Sequence, residues 1–194
     1  ERSDRFRVTT DHGAFDSAPV ALSTGGLSIP KMGATGFAHD WARRFGLKVT
    51  QTRPALVPLT LKVPDLAGLS LDVVARFGKA AFREAMLFTH RGLSGPAILQ
   101  ISSYWQPGQE LSIDLLPGID AVQFLKERHL ARPKAERRTL LAEAMPQRAA
   151  QFFESLQPEQ LNDWRIAPTG TEGYAKAEVT VGGVDTAGLS SQTM

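Results

Sequence analysis

The chain has 194 residues, of which 42% are hydrophobic, so it can bury a core and is not intrinsically disordered. Lys and Arg number 22 against 20 Asp and Glu, and the net charge of +2 is too small to indicate a nucleic-acid partner by itself. The lack of cysteine excludes disulfides, thiolate metal sites and cysteine nucleophiles.

The hydropathy and the ends of the sequence predict where the protein is found. No apolar run approaches the roughly 20 residues of a membrane-spanning helix, and the charged start ERSDRFRV is unlike a signal peptide. We therefore expect a soluble, cytoplasmic protein with no membrane partner. Strand-like runs lie close to both ends, before SSQTM in particular, which indicates a piece of a longer polypeptide. The rest of that polypeptide is then an expected partner.

The first predicted elements are short strands. Residues 6–10 alternate apolar and polar side chains, DHG supplies turn residues, and Ala14 and Phe15 begin a second strand, as in a β-hairpin. The compact apolar run PVALS predicts a buried strand that leads into the glycine turn TGG.

A helix and an extended segment come next. Phe37, Trp41 and Phe45, four residues apart, predict one face of a helix, with Thr35 as its N-cap and Gly46 just after its end. The run LKVTQTRPALVPLTLKV is predicted to be extended, because its prolines exclude a helix and confine strand pairing to edges.

The middle of the chain predicts a small antiparallel barrel or sheet, followed by helices. Its strand-like segments are LSLDVVARF, REAMLFTHRG and ELSIDLL; a short helix is expected to begin near Pro96, with Ser94 as its N-cap. GIDAVQFLKERHL has apolar residues at helical spacing, and the helical stretch after it is interrupted at Pro146. YAKAEVTVGGV then predicts a strand that ends at Gly182 and Gly183.

This order of elements is typical of an outer domain interrupted by an insertion, with boundaries near Pro58 and near Gly170. The turn STGG lies between a predicted strand and a predicted helix, where glycine lets the backbone approach a phosphate closely. It is not the GxGxxG fingerprint of a dinucleotide-binding fold, which this chain lacks, so its spacing alone favours a plain tight turn between strand and helix.

Three separated stretches resemble one known family. LSTGGLSIPKMGATGFAHDWARRFGLKVTQTRPALVPL is similar to a nucleotide-associated segment of the BaiN-like (YhiN-like) bacterial FAD-dependent oxidoreductases, which include aminoacetone oxidases. MLFTHRGLSGPAILQIS resembles a segment of that family's inserted domain, and AKAEVTVGGVDTAGLSSQTM resembles its return into the flavin domain.

The resemblance implies an α+β fold: an antiparallel β-barrel and a small helical subdomain inserted into part of a Rossmann-like nucleotide-binding flavin domain. On this layout residues 1–58 are part of the FAD-binding domain, 59–116 the barrel, 117–168 the helical subdomain and 169–194 the return strand. The family's GxGxxG unit would precede Glu1, and its glycine-rich C-terminal segment would follow Met194.

The resemblance also implies which residues face FAD. They are Thr24, Gly25, Gly26, Ser28, Pro30, Gly33 and Gly36, with Gly182, Gly183 and Val184 forming a turn near the flavin. Phe37 and Ala38 depart from the family's pattern, which puts a direct cofactor contact at that point in doubt.

The function implied is that of a flavoprotein oxidoreductase, which acts on a small organic substrate with NAD(P) or oxygen as electron partner. The isolated fragment is expected to be inactive. The alternative is a non-catalytic binding module, formed by the barrel and the helical bundle, that docks a partner.

Other residues that carry chemistry have structural alternatives. His90 and Arg91 follow an apolar strand, where they could move protons at a ligand or merely fix a loop; the catalytic residues are otherwise unknown. GLSGP lacks the glycine spacing of a serine hydrolase elbow, and the scattered histidines predict no metal site.

The run Lys126–Arg138 holds six basic and two acidic residues, which either contact phosphates or form a solvated helix face. No aromatic residue interleaves the bases, so no nucleic-acid partner is expected. The three tryptophans are expected to pack in the interior.

Overall fold

The computed structural model describes residues 5–62 and 66–190, so Pro64 and the terminal SQTM, on which parts of the sequence predictions rest, lie outside it. The strands are β1 Phe6–Thr10, β2 Gly13–Ser17, β3 Arg53–Ala55, β4 Leu59–Thr60, β5 Ser70–Phe77, β6 Ala80–Thr89, β7 Gly92–Ser94, β8 Leu111–Asp114, β9 Trp164–Ile166, β10 Gly170–Thr171 and β11 Val179–Val181. The helices are α1 Phe37–Arg44, α2 Pro96–Ser102, α3 Ala121–Ala131, α4 Arg137–Leu141, α5 Gln147–Phe153 and α6 Pro158–Asn162.

Seven strands form one antiparallel sheet in the order β10-β4-β7-β6-β5-β8-β9. In β5, Leu71, Val73 and Ala75 are buried on one face, which is the period of two that LSLDVVARF predicts. The two edge strands, β9 and β10, are joined by only three residues, 167–169, so the sheet curls until its edges are neighbours. The predicted antiparallel barrel is therefore confirmed.

The barrel and the helices share one hydrophobic core. A single cluster of buried side chains extends from the barrel strands through α2 to α3, α4 and α5. At its centre Phe88 of β6, Phe153 of α5 and Trp164 of β9 pack ring against ring, with centroids 5.1 to 6.5 Å apart. Strand β9 lies in the range 117–168 predicted to be helical, and it pairs with β8 of the barrel. The boundary between barrel and helical subdomain stays a prediction.

Asn162, at the end of α6, joins the helices to the barrel through hydrogen bonds. Its Nδ2 donates to the buried Asp114 of β8 at 2.8 Å and to the Ile119 carbonyl at 2.9 Å, while its Oδ1 accepts from the amide of Ala121, the first residue of α3. Asp114 also accepts from the Leu116 amide at 3.1 Å. The side chain of one residue thus sets the start of α3 against strand β8.

The two glycines of the motif GLSGP lie where its backbone packs closely against the backbone of neighbouring strands. A Cβ at Gly92, where φ is +147°, would lie 2.2 Å from the Leu59 carbonyl oxygen of β4. A Cβ at Gly95, where φ is +87°, would lie 2.7 Å from the Ala85 oxygen of β6. Gly95 is the N-cap of α2, so the expectation of Ser94 at that position is wrong: Ser94 ends β7 and pairs with Leu87.

The part outside the barrel consists of the β1–β2 hairpin, helix α1 and the antiparallel pair β11–β3. The hairpin and α1 are as predicted, but PVALS is not a buried strand: it is extended chain without ladder partners in the described residues. Its Val20 and Leu22 instead line an apolar groove with Trp41. All strand pairs in the described residues are antiparallel, so a Rossmann-like flavin domain stays a prediction.

Two smaller predictions differ from the structure. The N-cap of α1 is Gly36, because Thr35 lies one residue too early and its hydroxyl only accepts a 3.4 Å bond from the Phe37 amide. Tyr174 to Ala177 form a turn closed onto the Gly173 carbonyl, so the strand predicted over YAKAEVTVGGV is only Val179–Val181.

Helices of the described residues are too short or too polar to cross a membrane. The same residues contain no group of three or more His, Asp or Glu side chains arranged to hold a metal ion.

Substitution of Gly92 by Ala is expected to lower the free energy of unfolding by about 3 kcal/mol or more, because the new Cβ meets backbone that cannot rotate away. Gly108 is the matched control: its φ is +85° but a Cβ there meets nothing within 4 Å. Gly108→Ala should cost only about 1 kcal/mol, from the left-handed conformation alone. Urea unfolding of both variants measures the difference, and equal losses would contradict the role given to Gly92.

Asn162→Asp is expected to destabilise the protein more than Asn162→Ala at neutral pH, because it places a second carboxylate against Asp114. Asn162→Ala should cost about 2–3 kcal/mol by leaving buried groups without partners. Protonation of a carboxyl removes the repulsion between the two side chains, so the extra loss should disappear as the pH falls. Unfolding free energies at pH 7 and pH 4 test this; a pH-independent gap between the variants would refute it.

Candidate functional site

The predicted glycine loop, residues 24–36, lies against strand β11. Thr180 of β11 accepts a hydrogen bond from the Leu27 amide at 3.2 Å, and its hydroxyl lies 3.0 Å from Ser28 Oγ. A Cβ at Gly26 would lie 3.1 Å from Thr180 Oγ1, so glycine fits the close approach there. The loop thus contacts β11, the strand that immediately precedes the other predicted segment, residues 182–184.

Gly25 differs from Gly26 in its surroundings. Its φ is +74°, and a Cβ there would meet no atom within 4 Å, so the loop backbone borders open space at this point. Within residues 5–62 and 66–190 the amides of Gly25 and Gly26 donate to no other protein group. Two adjacent amides without a protein acceptor, one of them at a residue that borders open space, are an arrangement in which a turn can bind an anion such as a phosphate.

The second half of the loop is a strained turn that leads into α1. Ile29 has a left-handed backbone, φ +57° and ψ +61°, which for a β-branched residue costs on the order of 1–3 kcal/mol. Its amide donates to the Tyr174 carbonyl at 2.9 Å. Pro30 begins a single 3₁₀ turn that ends at Gly33, and Gly36 is the N-cap of α1. Pro30, Gly33 and Gly36 therefore shape the loop.

Tyr174, whose main-chain carbonyl bonds the loop at Ile29, carries an unsatisfied polar group on its side chain. Its hydroxyl is buried and has no hydrogen-bond partner in the described part of the chain. Buried hydroxyls in folded proteins are nearly always paired, so one without a partner marks a place where another group belongs.

Gly182, Gly183 and Val184 have their own packing roles. A Cβ at Gly182 would lie 2.3 Å from the Gln51 carbonyl oxygen. The Gly183 amide donates to Thr50 Oγ1 at 3.1 Å, and its carbonyl accepts from the Thr50 amide at 2.8 Å. Val184 forms a bridge with Val49. These contacts explain the glycines without a ligand; their proximity to a flavin stays a prediction.

His90 and Arg91 occupy the tip of the β6–β7 hairpin, and both are exposed. Arg91 forms an ion pair at 3.3 Å with Glu172, whose side chain is only 9% exposed. Glu172 lies two residues before Tyr174, whose main-chain carbonyl accepts a hydrogen bond from the Ile29 amide of the glycine loop. Because two residues span about 7 Å, the hairpin tip and the glycine loop contact one short segment from two sides.

Sequence reasoning missed Thr180, Tyr174 and Glu172. All three lie in or near YAKAEVTVGGV, whose alternation predicted a strand but not which side chains meet the glycine loop. The pairing of Thr180 with residue 27 spans 153 positions, and no local pattern signals such a contact.

Comparison with known proteins shows that the middle of the chain matches a known domain family. Residues 53–157 match the model of the HI0933-like protein barrel and H2TH domain. The chain is 46% identical over 90% of its length to the ribosomal RNA dihydrouridine synthase of Escherichia coli and 37% identical over 98% to that of Haemophilus influenzae. It is 27% identical over 97% to a 3-dehydro-bile acid delta(4,6)-reductase of Clostridium scindens. It covers 50%, 53% and 55% of these relatives, about half the length of each.

These relatives show that one prediction is wrong and support another only at the level of the family. The expectation of no nucleic-acid partner is wrong, because the two relatives at 46% and 37% identity are named for ribosomal RNA. The resemblance to a family of oxidoreductases is supported at the level of the barrel and H2TH family, and the relatives are enzymes. A relationship to aminoacetone oxidases in particular stays a prediction.

Thr180→Val should loosen the glycine loop while keeping the shape of the side chain. The Leu27 amide loses its acceptor, at a cost of about 1–2 kcal/mol, so amide exchange across residues 26–29 should accelerate roughly tenfold. Thr180→Ser keeps the hydroxyl and is the control. Hydrogen exchange followed by mass spectrometry measures both; unchanged protection in Thr180→Val would show that the loop does not depend on β11.

Proposed function

Since the chain belongs to the HI0933-like protein barrel and H2TH domain family, we propose that the protein is a flavin-dependent oxidoreductase that converts uridine to dihydrouridine in ribosomal RNA. The observation that carries the proposal is the glycine loop, in which the amides of Gly25 and Gly26 have no acceptor in the described residues and the backbone at Gly25 borders open space. The names of two relatives that match nearly the whole chain supply the substrate class.

The chemistry of the product is consistent with a redox enzyme. Dihydrouridine is uridine whose C5=C6 double bond has taken up a hydride and a proton, so its synthesis requires an electron donor. Of the two electron partners expected from the sequence, NAD(P)H fits a reduction and oxygen does not. Bound FAD supplies the hydride transfer that protein side chains cannot perform.

The residues around the loop fit an FAD phosphate and its neighbourhood. The amides of Gly25 and Gly26 would donate to phosphate oxygens, and Ser28 Oγ and the Tyr174 hydroxyl provide further hydrogen bonds. Thr24 begins the same open stretch, and Thr180 holds the loop in place. Pro30, Gly33, Gly36 and the turn Gly182–Val184 act in this proposal by shaping the walls of the site.

His90 and Arg91 are proposed to face the substrate. Reduction of a conjugated double bond needs a proton at one carbon, and an exposed imidazole at a hairpin tip is able to supply it. Arg91 is partly neutralised by Glu172, so its role is to fix the hairpin against the segment that carries Tyr174.

The chain path supports the proposed insertion of barrel and helices into an outer flavin domain. Strand β4 enters the barrel beside β10, from which the chain leaves, and β3 pairs with β11 immediately outside. The chain therefore enters and leaves the barrel at neighbouring places, near Pro58 and near Gly170. An inserted unit is expected to be connected to its outer domain in this way.

A non-catalytic binding module remains the alternative, and flavin content separates the two. The complete gene product should purify with, or take up, FAD and show the flavin absorption spectrum. Gly25→Asp should weaken FAD binding tenfold or more, because it places a carboxylate where the phosphate is proposed. Gly108→Asp, also in a left-handed conformation with open space around it, is the matched control and should bind FAD normally.

The RNA half of the proposal is measured separately. Ribosomal RNA from cells that lack the gene should lose a dihydrouridine that the wild-type gene restores and the Gly25→Asp variant does not, as quantified by mass spectrometry of nucleosides. A colourless protein that takes up no flavin would refute the oxidoreductase. A flavoprotein whose deletion leaves ribosomal dihydrouridine unchanged would refute the substrate.

A further inference from the structure

A cavity of about 510 Å³ opens in the helical part of the molecule, outside the flavin-site candidates. Helix α3 and the segment around α4 form most of its wall, and the start of α6 closes it. The lining residues are Val122, Leu125, Lys126, His129, Ala135, Arg137, Leu140 and Pro158. The cavity thus has an apolar wall and three nitrogen-bearing side chains, with no carboxylate among its lining.

Arg137 is the unusual member of this lining. Its Nε and one terminal nitrogen are buried, and neither has a hydrogen-bond partner in residues 5–62 and 66–190. A guanidinium cannot shed its charge, and burying it without an acceptor is costly, so such groups are normally paired. Arg137, which lines the cavity, therefore carries charge and donors that no described protein group satisfies.

Three carboxylates of α3, α4 and their flanks have partners outside the cavity lining. Glu143 is held by Arg128, at 2.8 Å, and by Arg132. Glu136 pairs with Arg138, and Glu127 accepts a hydrogen bond from Gln123.

The basic run Lys126–Arg138 therefore divides into two groups. Arg128, Arg132 and Arg138 are neutralised by helix carboxylates, as in an ordinary solvated face. Lys126 and Arg137 form no ion pair in the described part of the chain, and both line the cavity. Lys134 also forms no ion pair in the described residues but does not line the cavity, so two of the three unpaired cations of the run lie at this concave place.

We propose that this cavity binds a backbone phosphate of an RNA strand, with the Arg137 guanidinium as its main donor. The planar fork of arginine matches two phosphate oxygens, and Lys126 and His129 add donors at the rim. The apolar side of the cavity has room for the attached ribose or base. This inference rests on the proposed function, because it takes RNA from the substrate class named there.

The test uses the complete protein and fluorescence anisotropy with a labelled single-stranded RNA 12-mer of mixed sequence. Arg137→Met and Lys126→Glu should each weaken RNA binding about tenfold at low salt, and each should lower the slope of log affinity against log salt by about 1. Lys79→Glu, the same charge change in the β5–β6 turn, should change affinity less than twofold. Arg137→Lys should retain part of the affinity.

A second measurement guards against misfolding and identifies the source of the phosphate. Thermal unfolding is recorded with RNA, with a nucleoside monophosphate and with inorganic phosphate. RNA should raise the Tm of the wild type more than that of Arg137→Met, at concentrations where the two small phosphates have no effect. Small phosphates that compete with the RNA at equal concentration would overturn RNA as the ligand. Equal RNA affinity in Arg137→Met, Lys126→Glu and Lys79→Glu would overturn the site.

Failure of this site is distinguishable from failure of the proposed function. The flavin spectrum of each variant is measured in the same samples and does not depend on the cavity. Normal flavin content with RNA affinity unchanged in Arg137→Met would reject the cavity and leave the oxidoreductase in place. If Gly25→Asp loses flavin and no longer restores the ribosomal dihydrouridine but binds RNA normally, the flavin site and the RNA-binding cavity are independent sites.

Discussion

The hydrogen bonds of Asn162 are the constraint on which the arrangement of the molecule depends. One amide donates to the buried Asp114 of strand β8 and accepts from the first amide of α3, so it joins sheet and helices at their junction. Hydrophobic packing alone tolerates sliding of a helix over a sheet, whereas directional bonds do not. Because α3 also lines the cavity with Arg137, the same bonds determine where that charge lies relative to the barrel.

Two kinds of glycine occur in this chain, and their surroundings separate them. At Gly92, Gly95 and Gly182 a side chain would collide with backbone 2.2 to 2.7 Å away, so these residues serve close packing of segments. At Gly25 no atom of the described chain lies within reach. A positive φ alone does not distinguish the two classes; the space around the missing Cβ does. Of the glycines that the sequence suggested, Gly25 and Gly33 border open space, and Gly25 lies next to Gly26, whose amide also has no acceptor in the described residues.

The sequence predicted those elements whose signal is local. The alternation in LSLDVVARF produced strand β5, and Pro96 at a first turn produced helix α2, because both patterns report directly on burial and backbone geometry. The prediction of a buried strand over PVALS was wrong because an apolar run does not indicate whether a partner strand is present to form backbone hydrogen bonds with it. Ser94 failed as an N-cap because Gly95 had to fill that position to avoid β6. Thr180 and Tyr174 were missed because their contacts with the loop join distant parts of the chain.

The error about nucleic acid has a physical cause in how charge is distributed. Net charge and the number of basic residues average over the whole chain, and an average of +2 conceals whether individual cations are neutralised. Three arginines of the basic run are paired with helix carboxylates, while Arg137 and Lys126 line a cavity without an acid. An enzyme that acts on one base of a large RNA needs a few well-placed phosphate contacts to set its position, and chemistry elsewhere. Local pairing, visible only in the fold, is therefore the relevant quantity; in the two proposals the helices position the RNA and the glycine loop holds the flavin.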